Sequence, residues 1–192
     1  MRREMHAVLS AIPPAKRVVA SERVCALLER QSLWREARAV LLFAPTPQEI
    51  DVWPLAAAAK ASGKIVALPR FIPEAGKYGA FRVDDLVHDI HVGHFGIREP
   101  KAACVPVALG HADLILVPGL AFSTAGDRLG RGKGYYDQLL TQFGGIACGV
   151  AFDEQIVEHL PIETHDARMD CIITPTRWIR IRESRDDSVK AR

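Results

Sequence analysis

The sequence predicts an α/β protein of three layers, with a mainly parallel sheet, helices on both faces and an irregular insert in mid-chain. Two observations carry that expectation: short, almost wholly apolar runs recur along the chain, and helix-like stretches separate them. A strand that is apolar throughout buries both faces, and parallel pairing needs a crossover long enough to lay a helix on the sheet. Length adds a third constraint, because two cores in 192 residues would each be left with roughly 100 residues, near the lower end of the common range. One domain over residues 1–182 is expected, with 183–192 as a frayed polar tail.

The elements follow in order. After a short arginine-bearing start, Val18, Val24, Cys25 and Leu28 recur at helical spacing among charged residues. They predict an amphipathic helix of about four turns that covers one face of the sheet. The runs VLLFA (40–44), IVAL (65–68), LILV (114–117), IACGVA (146–151) and CII (171–173) read as strands. Residues 52–61 read as a helix with Asp51 at its N-cap and Pro54 in the tolerated first turn, and another helix follows Gly134. Between Arg70 and Pro106 the rhythm breaks, with glycines at 76, 79, 93 and 96 and prolines at 73, 100 and 106. This insert is expected to hold short strands and to wall part of a binding site, since long loops inside compact domains are usually functional.

Composition narrows the function classes. Hydrophobic residues at 48% and charged residues at 25% are ordinary globular usage and argue against a disordered or membrane-embedded chain. The net charge of +2, from 25 basic and 23 acidic residues, gives no bulk attraction for a polyanion; no nucleic-acid partner is expected, and any anion site is local. No run approaches the ~20 apolar residues of a membrane helix, so a cytoplasmic protein without membrane contact is expected; a monomer is expected as well. The cysteines at 25, 104, 148 and 171 form no CxxC pair and read as free structural thiols.

The most informative stretch is LILVPGLAFSTAGDRLGRGKGYYDQLL (114–140), which passes from buried strand through a glycine-dense loop into a helix. Gly130, Gly132 and Gly134 alternate with Arg131 and Lys133, so the backbone can bend tightly and expose its N–H groups beside two cations. At a helix N-terminus that combination suits phosphate. Arg128 adds a third cation, Asp137 offers a carboxylate for magnesium, and Tyr135 and Tyr136 supply flat surfaces for a ring system. Glycine-rich loops also serve as plain turns, and an early helical Asp is stabilised by the dipole without any metal. The loop is no Walker A motif, because Gly134 stands after Lys133 where Ser or Thr belongs, and it lacks GxGxxG spacing.

PGLAF followed by GDRLGRGKGYYD resembles the signature of the 5-formyltetrahydrofolate cyclo-ligase family. Weaker agreement runs through an N-terminal arginine, QEID (48–51), GIREP (96–100) and HDARMD (165–170). The resemblance implies a layered α/β fold, use of ATP with Mg2+, and closure of 5-formyltetrahydrofolate to 5,10-methenyltetrahydrofolate with release of ADP and phosphate. Residue by residue, it implies an ATP site at Arg2, Arg128, Leu129, Gly130, Arg131, Gly132, Lys133, Gly134, Tyr135 and Tyr136. Folate contacts are implied for Ala44, Glu49, Phe95 and the stretch Arg131–Tyr135, magnesium carboxylates for Asp137 and Asp170, and catalytic roles for Arg131 and Lys133. Two departures stand out. Relatives usually carry a lysine four residues before the arginine matched to Arg2, so either the start lies upstream or Arg3, Lys16 or Arg17 compensates. Ser123 occupies the place of an Asp that commonly follows PGLAF in the family.

Other patterns carry less. His88, His91 and His94 suggest zinc by spacing, but on a strand His91 faces away from the other two, which favours solvated or folate-contacting histidines. Asp166 and Asp170 read either as an acid/base pair or as cap and turn residues, and Glu49 as a ligand contact or a solvated carboxylate. RGKGYY superficially suits an RNA-binding module, against which the balanced charge speaks. An anion loop also suits another enzyme on this scaffold, such as a sugar-phosphate isomerase, from which a requirement for ATP and magnesium separates it.

Overall fold

The computed structural model describes residues 1–93, 96–161 and 167–181. Two helices open the chain, α1 (Arg2–Ala11) and α2 (Pro14–Glu29). Pro13 holds the preceding Ile12 extended, at φ −69° and ψ 120°, and so separates them. The arginine-bearing start is therefore helical, with Met5 and Leu9, one turn apart, as its buried stripe. On α2 the buried face is Ala20, Ser21, Val24, Cys25 and Leu28, whereas Val18 lies beside that stripe and is 59% exposed. The short α3 (Ser32–Glu36) buries Trp34 and leads into β1 (Ala39–Leu41). Pairing in β1 stops at Leu41 rather than 44; Phe43 and Ala44 stay buried while the backbone leaves the sheet.

Helix α4 (Trp53–Ala61) begins one residue later than expected, with Val52 at the cap position. Asp51 Oδ1 still accepts the Trp53 N–H at 2.9 Å. The chain returns through β2 (Ile65–Ile72), turns at Gly76, whose φ of +60° favours glycine, and pairs back as β3 (Lys77–Arg82). Much of the insert is therefore an antiparallel extension of the main sheet. The rest carries a two-stranded hairpin of β4 (Ile90–Val92) and β5 (Arg98–Pro100). Then come β6 (Leu114–Pro118), β7 (Ala121–Ser123), β8 (Arg128–Leu129), α5 (Tyr135–Leu140), β9 (Ile146–Val150), β10 (Ile156–Val157), β11 (Cys171–Ile173) and β12 (Trp178–Arg180).

The main sheet has seven strands in the order β12-β11-β9-β6-β1-β2-β3. Its inner pairs are parallel, with Val40 opposite both Val66 and Leu114, and Cys148 opposite both Leu116 and Cys171. Only the edge strands β3 and β12 run antiparallel. Side chains alternate between two cores. Val40, Val66, Leu68, Leu114, Leu116 and Ile173 face Leu9, Val24, Leu28 and Leu55 of the helices α1, α2 and α4. Leu41, Ala67, Ile115, Val117 and Ile172 face Phe122, Met169 and, from α5, Tyr136 and Leu140.

The three expected layers are present but unequal. Four helices, counting Trp34 of α3, pack on one face. On the other lies α5, of only six residues, with the small sheet β10-β7-β8 and irregular segments. Residues 183–192 lie outside the described residues.

Candidate active site

Strand order reverses between β1 and β6: the chain proceeds to β2 on one side and from β6 to β9 on the other. Such a switch point leaves a crevice beyond the carboxyl ends of the strands, where ligands bind in open α/β sheets. A cavity of about 430 Å³ opens there, bounded by Phe43 and Ala44 after β1 and by Pro118 and Gly119 at the end of β6. Gln155, buried, fixes that turn by donating to the carbonyls of Gly119 at 2.7 Å and Leu120 at 3.2 Å.

One wall is the glycine loop. Gly132 and Gly134 adopt φ of +93° and +68°, a backbone that L side chains resist, and the chain folds back between β8 and α5. Arg128, Arg131 and Lys133 all line the cavity. Arg131 Nη2 donates to Glu49 Oε1 at 3.0 Å, while Glu49 Oε2 accepts the Thr46 N–H at 2.8 Å. Glu49 is thus a held cavity-wall group rather than a solvated loop carboxylate. Arg2 Nε donates to the Gly130 carbonyl at 3.1 Å and ties α1 to the loop. Lys133 has no hydrogen-bond or ion-pair partner among the described residues. Because α5 is so short, the positive character of this wall comes from side chains and loop amides more than from a helix dipole.

Beside the loop the lining is aromatic, where Tyr78 of the insert meets Tyr135 of α5, with Phe71 packed against both. The rings of Tyr135 and Tyr78 lie 4.9 Å apart, with Phe71 at 5.6 Å from Tyr135 and 5.5 Å from Tyr78. Burial, followed by the charge of Glu99, pushes the Tyr78 hydroxyl up to about 12. Burial also pushes the Tyr136 hydroxyl well above its ordinary value. Both phenols stay protonated near neutral pH. At the rim, the Arg98 guanidinium carbon lies 4.5 Å over the Trp53 ring.

The sequence-derived site residues divide into three groups. Ala44, Glu49, Arg128, Gly130, Arg131, Lys133, Gly134, Tyr135, Tyr136 and Asp137 line one cavity. Arg2 joins them through Gly130, Gly132 lies within the loop, and Leu129 is buried in β8. Phe95, His94 and Asp166 lie outside the described residues. Asp170 is elsewhere: its Oδ2 accepts the Ala147 N–H at 2.9 Å, level with the start of β9. Relative to Pro118 it sits three residues down and two strands across, roughly 10 Å in each direction at about 3.3 Å per residue and 4.8 Å per strand.

Asp137, for its part, is paired with Arg128, whose Nη2 reaches Oδ1 at 2.6 Å. An ion with oxygen ligands near ~2 Å cannot use Asp137 and Asp170 together, so the two-carboxylate magnesium site does not fit this arrangement. Among the described residues no group of three His, Cys, Asp or Glu side chains is placed to hold a metal ion. His88 bonds Asp85 at 2.8 Å on the surface.

The two departures also find their places. Lys16 pairs with Glu154 and Arg17 donates to the carbonyls of Leu9, Ile12 and Pro47, so neither supplies a cation to the cavity. Ser123 is buried away from the cavity, where its hydroxyl donates to Asp127 Oδ2 at 2.8 Å. Sequence reasoning missed Phe43, Tyr78, Arg98, Glu99 and Pro118 as lining residues. The GIREP stretch and the glycine-flanked Tyr78 were the available signals.

The fold and cavity define the class: an α/β enzyme scaffold whose switch-point crevice pairs a cationic loop, suited to a phosphorylated ligand, with an aromatic wall suited to a planar ring. The chain belongs to the 5-formyltetrahydrofolate cyclo-ligase family, whose model matches residues 1–175, and is a ligase. The solved 5,10-methenyltetrahydrofolate synthetase of Aquifex aeolicus is 32% identical and superposes with a TM-score of 0.86, over 96% of this chain and 93% of that one. The 5-formyltetrahydrofolate cyclo-ligase of Escherichia coli K12 is 31% identical over 145 residues, 73% of this chain and 80% of that enzyme. The cyclo-ligase of Mycolicibacterium smegmatis is 39% identical over 111 residues, and the match spans 55% of its length. Among the described residues no helix is long and apolar enough to cross a membrane.

Proposed function

We propose that the cavity converts 5-formyltetrahydrofolate and ATP into 5,10-methenyltetrahydrofolate, ADP and phosphate. The observation that carries this reading is the meeting of a three-cation glycine loop and an aromatic wall in one crevice large enough for both reacting ends. An N-formyl group is a poor electrophile, and its oxygen leaves only when activated. In the proposed sequence the formyl oxygen takes the γ-phosphoryl group and ADP departs. N10 then adds to the activated carbon, loses its proton, and phosphate leaves with the former formyl oxygen.

The protein's part is alignment and charge neutralisation, as is general in phosphoryl transfer. Arg131, Lys133 and the amides around Gly130, Gly132 and Gly134 bind the phosphates. Arg128, Leu129, Tyr135 and Tyr136 complete the nucleotide site, with Arg2 over the loop. Ala44, Glu49 and the Arg131–Tyr135 stretch face the folate, and Phe95 is proposed to join them. Magnesium would enter with the nucleotide, held by phosphate oxygens and water, and would supply charge neutralisation there, while Asp137 stays paired with Arg128. The protein is further proposed to be one domain over residues 1–182, monomeric and cytoplasmic, with no nucleic-acid or membrane partner.

The test is to mix purified protein with 5-formyltetrahydrofolate and MgATP and follow the methenyl absorbance, omitting ATP or magnesium in controls. Product is expected only with all components. Lys133→Ala and Arg131→Ala are each expected to lower turnover on the order of 10²-fold or more, the scale of losing one preorganised donor. Wild-type kinetics in both variants would remove the loop from the mechanism.

A further inference from the structure

The three cations along the glycine loop are not equally free. Arg128 is paired with Asp137 and Arg131 with Glu49, whereas Lys133 has no partner among the described residues. The second pair is the one placed to exchange. Arg131, between Gly130 and the positive-φ Gly132, has a side chain 39% exposed, while the carboxylate it holds is 10% exposed. Glu49 is the fixed partner. Its Oε2 accepts the Thr46 N–H at 2.8 Å, its own N–H donates to the Thr46 carbonyl at 3.0 Å, and Arg17 braces the same turn through the Pro47 carbonyl at 2.6 Å. Its Oε1 faces Arg131 Nη2 at 3.0 Å, and the Thr46 hydroxyl makes a longer contact of 3.5 Å with the same nitrogen. If Arg131 leaves, Oε1 loses its partner while the carboxylate stays largely out of water, which is unfavourable unless another donor replaces the guanidinium.

We propose, resting on the functional reading above, that Glu49 is a positioning residue that couples the two substrates: it holds Arg131 back from the phosphates until an N–H donor of the folate takes its Oε1. The tetrahydropterin ring carries several N–H donors, and one of them replaces the guanidinium on Oε1 without disturbing the Thr46 bond to Oε2. Arg131 then turns to the nucleotide, where its planar fork of donors suits phosphate oxygens. Before that exchange its charge is neutralised by Glu49, and a phosphate drawn to it meets that carboxylate at close range. Each substrate therefore releases the group that the other needs, and by linkage the gain is the same in both directions. Plain charge predicts the reverse, because the glutamate end of the folate is an anion that repels ATP. Lys133, unpaired, serves the phosphates with or without folate.

The experiment measures binding of the non-hydrolysable β,γ-methylene analogue of ATP, with magnesium, by titration calorimetry. It is run with and without saturating 5-formyltetrahydrofolate in wild type, Glu49→Gln and Glu49→Asp. In wild type the folate is expected to tighten the analogue about tenfold, and the analogue to tighten the folate by the same factor. Glu49→Gln keeps an acceptor for the Thr46 N–H but not the charge that holds Arg131. The analogue alone is therefore expected to bind it several-fold more tightly than wild type, with folate adding less than about twofold. A merely structural role moves the analogue the other way, because a loosened loop binds phosphate more weakly. Glu49→Asp, one methylene short of spanning Thr46 and Arg131, is expected to lose the coupling while keeping the charge, and it carries the test if Glu49→Gln does not fold. Coupling within about twofold of none in wild type overturns the proposal whatever the variants do. So does coupling that survives in a folded variant, since it then comes from direct contact between the substrates. Methenyl product from uncoupled ligands leaves the cyclisation standing and removes only this inference. A wild type that forms no methenyl product refutes the functional reading, and the inference with it.

Discussion

Replacing Asp137 with alanine strands a guanidinium whose side chain is 4% exposed. Removing one partner of a buried ion pair costs about 3–5 kcal/mol, because the remaining charge stays desolvated. Asp137 itself is 25% exposed, so some water already reaches the pair, and Arg128 keeps a long 3.4 Å bond to the Pro118 carbonyl. Its Nε has no acceptor among the described residues, so little else compensates. The lower end, about 3 kcal/mol, is therefore expected. For a domain of this size that is a fall in Tm of about 6–12 °C.

Urea and thermal unfolding followed by circular dichroism, without ligands, measure it directly. Asp137→Asn, which keeps an oxygen for the guanidinium, should lose about half as much. The double variant Arg128→Met/Asp137→Ala should recover most of the loss, since no charge is left buried. A single Asp137→Ala change worth less than about 1 kcal/mol would refute the pairing and return the carboxylate to other duties, such as a metal ion.

Two further predictions concern how the loop region is supported. Burial pushes the Asp127 carboxyl upward, but bonds from Arg168 Nε and Ser123 Oγ more than offset this and hold it below the usual carboxylate range. Its folded value is thus depressed, so its contribution is complete above the unfolded value, about pH 4, and is lost as pH falls through the folded value. Arg168→Ala should cost about 1 kcal/mol at pH 7, Arg168 being half-exposed, and progressively less as pH falls below about 4; a gap between wild type and variant that ignores pH contradicts the assignment. Gly126→Ala should cost about 2 kcal/mol or more, because φ is +94° and a Cβ would lie 2.8 Å from the Met169 carbonyl oxygen; an unchanged urea midpoint would show that this turn is not formed as described.

Much of the architecture was legible along the chain for a local reason. Runs such as LILV and IACGVA are apolar at every position, which only a strand covered on both faces tolerates, and five of them separated by helical stretches imply a parallel sheet. The glycine loop was equally local, since Gly130, Gly132 and Gly134 lie within five residues of one another. Where local signal was thin, the expectation failed. α1 is marked by only Met5 and Leu9, and β3 reads as irregular until β2 provides its partner.

The sequence by itself determined the layered class, the family and the loop that gathers cations, because each depends on the order of neighbouring residues. Tertiary structure alone decided which distant side chains share the cavity. Strand order brings Phe43 beside Pro118 and sets the hairpin with Glu99 against Tyr78. It pairs Asp137 with Arg128, although a motif names both without saying that they touch. It also sends Asp170 to the far end of β9, since the register of a parallel pair, and not distance from a motif, determines which end of the sheet a residue occupies.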